Sequence, residues 1–329
     1  MLRLSGATIL IFVLFSMVAA KEVQFQEKVN YKGWPNCVRL SNGKVELVVL
    51  TDVGPRIIRF GFVGGQNLFK EFEDQAGKTG GDKWVPYGGH RLWHAPEAIP
   101  RTYSPDNSPV KYAWGGKTLK LTQAVEPDTG IVKEMEIRLD PNENHVTVLH
   151  RLINKNLWEV ELAPWSLSVM NSGGRAIFPQ EPYRAHADYL LPVRPMVMWA
   201  YTDMKDPRWI WGTKYVQLRQ DTNAKNQQKF GFLNTLGWAA YSLNGELFMK
   251  RYGYDPKGTY ADFGCNTEAY TDPSMLEVET LGPLTKMPPG GHAEHVEHWF
   301  LFRAQVDESE ASIDRVVLPL VRQTDKYKP

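Results

Sequence analysis

The 329-residue chain holds 38 basic and 37 acidic residues, a formal net charge of +1, with 12% aromatic residues and two cysteines. So even a balance carries no electrostatic footprint for nucleic acid or an anionic membrane as partner. There is also no P-loop, Rossmann glycine fingerprint, nucleophile elbow or paired zinc-cysteine motif, which argues against nucleotide-dependent chemistry and the common serine hydrolases.

Arg3, the largely apolar run Ala7 to Val18 and the small residues Val18-Ala19-Ala20 read as a secretory signal peptide over residues 1–20. That run is too short and wrongly flanked for a spanning helix, and no later segment is long enough. The expectation is an exported chain, periplasmic or secreted, with residues 21–329 forming a single domain. In an oxidising compartment Cys37 and Cys265 either form one disulfide, contributing about 2–4 kcal/mol, or stay as two free buried thiols.

The mature chain reads as strands and turns. Asn42-Gly43 is a hairpin signal before Val45–Leu50, and Arg56–Phe62 follows the Gly54-Pro55 break. Further strands are predicted at 117–123, 131–139, 145–153, 215–218, 237–243, 247–252, 275–280 and 298–304. Helical periodicity is confined to 308–320. Many short strands with Gly/Pro turns predict an all-β fold, a large antiparallel β-sandwich or barrel.

Gly88 to Glu97 reads as a loop or strand end. Gly88-Gly89 and Pro96 punctuate it, and four side chains that can carry charge would be costly to bury unpaired. His90, Arg91, Trp93 and His94 are therefore candidate cleft residues. Trp34, Trp84, Trp93, Trp209 and Trp211 offer flat faces that suit sugar rings, or else fill a core. Asn171-Ser172-Gly173-Gly174-Arg175 is a glycine turn from which Arg175 could aim a donor fork, and Arg56 is a similar single candidate.

Two later segments carry carboxylates and histidines. Glu277 and Glu279 lie two apart on a predicted strand, on one face and about 6.5–7 Å apart. Solvated strand carboxylates are common, but Leu276, Val278 and Leu281 suggest a core strand, where a desolvated Glu279 would have its pKa raised toward general-base values. His292, His295 and His298 would share one side of a helix. On the strand that Trp299-Phe300-Leu301-Phe302 suggests, His295 faces away from the other two, so no metal site is expected.

The order of these features resembles the galactose mutarotase-like superfamily, and looks closest to an exported bacterial subgroup. Val45 to Ile58 is similar to its opening hairpin, and Gly88-Gly89-His90-Arg91-Leu92-Trp93 falls at its sugar-cleft segment. Leu276-Glu277-Val278-Glu279-Thr280 is similar to the tract holding the aldose 1-epimerase base, with Glu279 the matching residue. Val148 to Asn154 and Pro288-Pro289-Gly290 extend the likeness. The resemblance implies a supersandwich that takes a small sugar or oligosaccharide and needs no cofactor. As an aldose 1-epimerase-like isomerase, Glu279 would take the anomeric proton and a histidine would protonate the ring oxygen. Arg91 would stabilise charge and Trp93 would stack on the ring, with Arg56, Arg175 and Glu277 as further binding residues.

One departure stands out. Leu162 to Met170, where epimerases carry the acid histidine, has none. Either His90 or His94 replaces it, or the protein binds carbohydrate without turning it over. Glycan cleavage by Glu277 and Glu279 is a weaker alternative.

Overall fold

A computed structural model describes residues 22–327, so the leader read at residues 1–20 lies outside the described residues. Two antiparallel sheets, of eleven and ten strands, pack face to face. The larger sheet runs from an edge at Gln24–Tyr31 through Arg56–Phe62 to a centre of His90–Ala95, Val160–Met170, Leu276–Leu281 and Thr267–Thr271. It then continues to Gln228–Phe232 and an edge at Met196–Met198. In the smaller sheet, Glu246–Tyr252, His292–Arg303 and His145–Asn154 are neighbours.

The expected alternation builds the core between the sheets. Leu47, Phe60, Val278 and Phe230 from one sheet meet Val148, Phe248, Trp299 and Leu301 from the other, all fully buried. Edge-to-face aromatic contacts cross the gap, with Phe60–Phe248 centroids at 6.0 Å and Phe69–Trp299 at 5.6 Å. The outer face of the smaller sheet is covered by the amphipathic helix Glu310–Gln323, whose Ile313, Val317 and Val321 pack on Leu247 and Met249. Ser309 caps this helix by accepting a hydrogen bond from the Ser312 N–H. No helix among the described residues is long and apolar enough to cross a membrane. Cys37 and Cys265 are both buried and unbonded.

One expectation is corrected. His90–Ala95 is not a loop but a central strand, with all six residues buried. The desolvation penalty that argued against it is met by partners on both faces. On the outer face Arg91 lies 2.8 Å from Glu277. On the inner face His90 joins a polar network that spans the two sheets.

The inner network centres on Glu297, fully buried on strand His292–Arg303. Its carboxylate accepts hydrogen bonds from Lys250 Nζ at 2.8 Å, Ser166 Oγ at 2.9 Å, Trp299 Nε1 at 2.7 Å and Thr280 Oγ1. Burial pushes this carboxyl up, but the Lys250 ammonium and the surrounding imidazoles together hold it well below the ordinary carboxylate range. His150 donates Nδ1–H to the His295 carbonyl, leaving Nε2 to accept from His90 Nε2 at 2.7 Å, while His90 Nδ1 accepts from Ser168 Oγ. Burial lowers all three imidazoles, His150 to about 4 and His295 to about 3, so the rings are neutral. His90, His150 and Glu297 bring three possible ligand atoms within 4.8 Å of one another. Their hydrogen-bonding capacity is met within the protein, by Ser168, the His295 carbonyl, each other and the Lys250–Glu297 ion pair.

Removing one member of such a pair strands a buried charge. Glu297→Ala is expected to lose about 3–5 kcal/mol of stability in urea unfolding, and a loss below 1 kcal/mol would contradict a structural role for the network.

Candidate functional site

A cavity of about 380 Å³ opens on the outer face of the larger sheet. Strand pairing brings its residues together from positions far apart in sequence. Arg91 stands opposite Leu167, Leu167 opposite Glu279, and Glu279 opposite Glu268, forming one row across four strands. The next row is Trp93, Trp165 and Leu281. Because side chains alternate along a strand, this row geometry sorts every candidate by face.

Aromatic rings form the walls. Trp84, Trp93, Tyr103, Trp165, Trp199, Tyr201 and Tyr270 all line the cavity. Trp93 makes edge-to-face contacts with Trp84 at 5.1 Å and Trp165 at 5.4 Å. Two cations are clamped between these rings. The Arg91 guanidinium lies 4.5 Å from the Trp93 centroid and 5.2 Å from that of Trp84, and Lys229 Nζ is 4.6 Å from both Trp165 and Trp199.

Carboxylates complete the base. Arg91 pairs with Glu277, while Lys229 Nζ is 2.9 Å from Glu268 Oε2 and 3.5 Å from Glu279 Oε2. Glu268 and Glu279 are fully buried and directly opposed across neighbouring strands. Burial pushes the Glu279 carboxyl up to about 7, against the pull of Lys229 and with help from Glu277. Burial raises Glu268 well above the ordinary range as well, again against Lys229. The ammonium outlasts its own burial, since Glu279 and then Glu268 hold Lys229 well above its usual pKa. Lys229 is thus a fixed cation and the two carboxyls share a reluctance to ionise together.

Glu279 also accepts a hydrogen bond from Trp165 Nε1 at 2.9 Å. It is itself fully buried, while Trp165 and Lys229 line the cavity. The carboxylate therefore sits behind the floor and fixes the two groups that form it. Arg91 Nε and Nη1, with the indole nitrogens of Trp84 and Trp93, are buried donors without a hydrogen-bond partner among the described residues. Such donors suit a ligand rich in oxygen acceptors.

The predicted site residues divide. Arg91, Trp93 and Glu277 line the cavity and Glu279 lies behind it. His90 and His94 do not join them, because they occupy the inner face of the same strand. His94 is held between Glu126 Oε2 at 3.3 Å and the Arg101 guanidinium at 3.1 Å. Arg56, also expected to bind substrate, is fully buried against Asp106 at 2.8 Å and the Pro86 and Gly88 carbonyls. Arg175 lies in the smaller sheet and donates to the Val306 and Asp307 carbonyls. Its glycine turn is real, but the strand it opens carries it away from the cavity. Lys229, Glu268, Trp199 and Tyr201 were not anticipated, and the short strands QKFGF and TEAYT that carry the first two gave no clear signal.

With this geometry in view, solved structures share the architecture. A galactose mutarotase-like protein from Clostridium acetobutylicum superposes with a TM-score of 0.54 at 10% identity, covering 86% of this chain and 99% of that one. A galactose mutarotase-like protein from Lactobacillus casei gives 0.54 at 8% identity, covering 81% and 100%. The fold is the galactose mutarotase-like β-sandwich. A TPR-domain containing protein from Parabacteroides distasonis gives a TM-score of 0.56 at 14% identity over 83% of this chain, which spans only 48% of that longer protein. No family model matches the sequence, and no curated protein matches it.

The buried Glu279 predicts a pH signature. Its native carboxyl titrates near 7 against an ordinary value of 4.5, so the folded state keeps a proton that the unfolded state releases. Its contribution to stability is full below about 4.5 and falls as pH rises toward 7. Carbon-13 spectra of glutamate-labelled protein should show a carboxyl titrating near neutrality that is absent in Glu279→Gln, and that variant should flatten the fall. A wild-type spectrum in which every glutamate titrates below 5.5 would contradict the buried assignment.

Proposed function

We propose that the protein binds carbohydrate in the aromatic cavity of the larger sheet and does so without epimerising it. The observation that carries the reading is the separation of Glu279 from both histidines of strand His90–Ala95, which lies two strands away and turns them to the opposite face. An epimerase needs a base at the anomeric hydroxyl and an acid at the ring oxygen, both within hydrogen-bond reach of one sugar. Here Glu279 lies behind Trp165 and Lys229, and His90 and His94 are engaged on the other side of the sheet.

What remains at the surface suits binding. Trp93 and the neighbouring rings offer faces for the C–H side of a pyranose, and Arg91 offers donors to its hydroxyls. The cavity lining carries two cations, Arg91 and Lys229, and two carboxyl groups, Glu97 and Glu277, so neither sign is in excess beside the ligand, which fits a neutral sugar. A volume of about 380 Å³ is at the small end of ligand sites, which run from about 300 to 1,000 Å³. The leader at residues 1–20 supports action outside the cytoplasm, in the periplasm or secreted, which N-terminal sequencing of exported protein checks through a start at Lys21.

A second reading keeps Glu279 as an epimerase base, favoured by its neutral-range pKa. Titration of tryptophan fluorescence with a saccharide panel, combined with NMR exchange between sugar anomers, separates the two. The binding reading expects affinity to fall at least about tenfold in Trp93→Ala, to persist in Glu279→Gln, and no acceleration of anomer exchange by the wild type. Exchange catalysed by the wild type and abolished in Glu279→Gln would overturn it in favour of the enzyme.

A further inference from the structure

We propose that the cavity is the inner end of a longer glycan-binding site, and that Phe263 is an aromatic platform for a sugar ring lying just outside it. This rests on the carbohydrate-binding reading above.

Phe263 is 93% exposed, the most exposed large apolar side chain among the described residues. It stands in a left-handed turn, Ala261–Gly264, where Asp262 has φ 50° and Phe263 φ 59°. Two consecutive non-glycine residues rarely adopt that backbone, least of all a bulky aromatic, and it persists only where the surroundings impose it. Both ends of the turn are clamped. Ala261 is buried against Trp93, Trp165 and Leu281, and Cys265, also buried, donates its N–H to the Ala261 carbonyl at 3.0 Å. The fold therefore anchors both ends of the turn and presents a phenyl ring to water at its tip, where packing makes no use of it.

The turn's position gives that ring a use. Ala261 belongs to the same aromatic cluster that forms the cavity wall. Ala95 belongs to it too, and the chain leaving Ala95 carries Glu97 and Tyr103, which line the cavity, and between them Ile99, 86% exposed. Two segments leaving one wall thus each carry an exposed apolar side chain beyond it. A cavity of this size holds little more than the end of an oligosaccharide, so a longer chain must pass over the rim. A pyranose leaving the cavity can lay its C–H face on Phe263 while its hydroxyls stay in water. A second copy of the protein seated on the same side chain is the alternative occupant.

The test uses the mature protein, as wild type, Phe263→Ala and Phe263→Trp. Calorimetric titrations compare glucose with maltotetraose, galactose with β-1,4-galactotetraose, and mannose with mannotetraose. Because Phe263 is exposed, its replacement leaves the core intact. The expected result is a wild type that prefers one tetrasaccharide to its own monosaccharide by about tenfold or more, a preference lost in Phe263→Ala and kept in Phe263→Trp, with monosaccharide affinity constant within about twofold. Equal affinity of the wild type for every monosaccharide and its tetrasaccharide overturns the platform but leaves the cavity reading standing, as does a Phe263→Ala variant that keeps the preference. A dimer in light scattering that Phe263→Ala dissociates without changing glycan affinity assigns the ring to self-association instead. Absence of any saccharide binding removes both readings.

Discussion

The structure depends on one geometric constraint, the alternation of side chains along His90–Ala95 between its two neighbours. A central strand buried on both faces normally carries apolar residues, because each face removes its side chains from water. This one carries an arginine and a tryptophan outward and two histidines inward. It is tolerated because these polar groups find partners from other strands and loops, the Arg91 cation with Glu277 on one face and the neutral His94 ring with Glu126 on the other. A one-residue slip in pairing would exchange the faces and leave all of these groups unpaired. The same polar groups that look anomalous in a core strand therefore specify its register.

The two faces put similar chemistry to different ends. Inside, Glu297 collects Lys250, two hydroxyls and an indole, and the neutral rings of His90, His150 and His295 complete the network. Buried ion pairs of this kind add little net stability, yet losing one partner is costly, so they act as locks between the sheets. Outside, Lys229 is held by Glu268 and Glu279 beneath two indole faces, and Glu279 anchors Trp165. The Glu279 carboxylate thus supports the aromatic floor.

Much of the fold was legible in the sequence. Strands such as Val45–Leu50, Arg56–Phe62 and Ile131–Leu139 carry β-rich or alternating residues between turn signals and lie where the pattern placed them. The run His292–Arg303 is a strand, with His295 turned away from His292 and His298 as its apolar continuation implied. Gly88 to Glu97 was misjudged because the rule against burying charge concerns unpaired charge, and partners such as Glu126 and Glu277 are invisible until the chain is folded. Glu279 and Arg91 were found by residue type and spacing. Lys229 and Glu268 escaped because the short strands that carry them have no clear alternation and were not predicted, and only the pairing of Gln228–Phe232 with Thr267–Thr271 brings them beside Glu279. Arg56 and Arg175 show the converse: a guanidinium near glycines looks like a ligand donor, but Asp106 and backbone carbonyls engage Arg56, and backbone carbonyls engage Arg175.

The most direct measurement of the division between faces is a nitrogen-15 spectrum of imidazole and indole groups, recorded with and without a bound saccharide. On this account the indole signals of Trp84, Trp93, Trp165 and Trp199 shift on binding, while the His90 and His94 rings stay neutral and unmoved, their ordinary pKa lowered chiefly by burial. A shift or protonation of His90 or His94 on saccharide binding, with the four indoles unchanged, would contradict it.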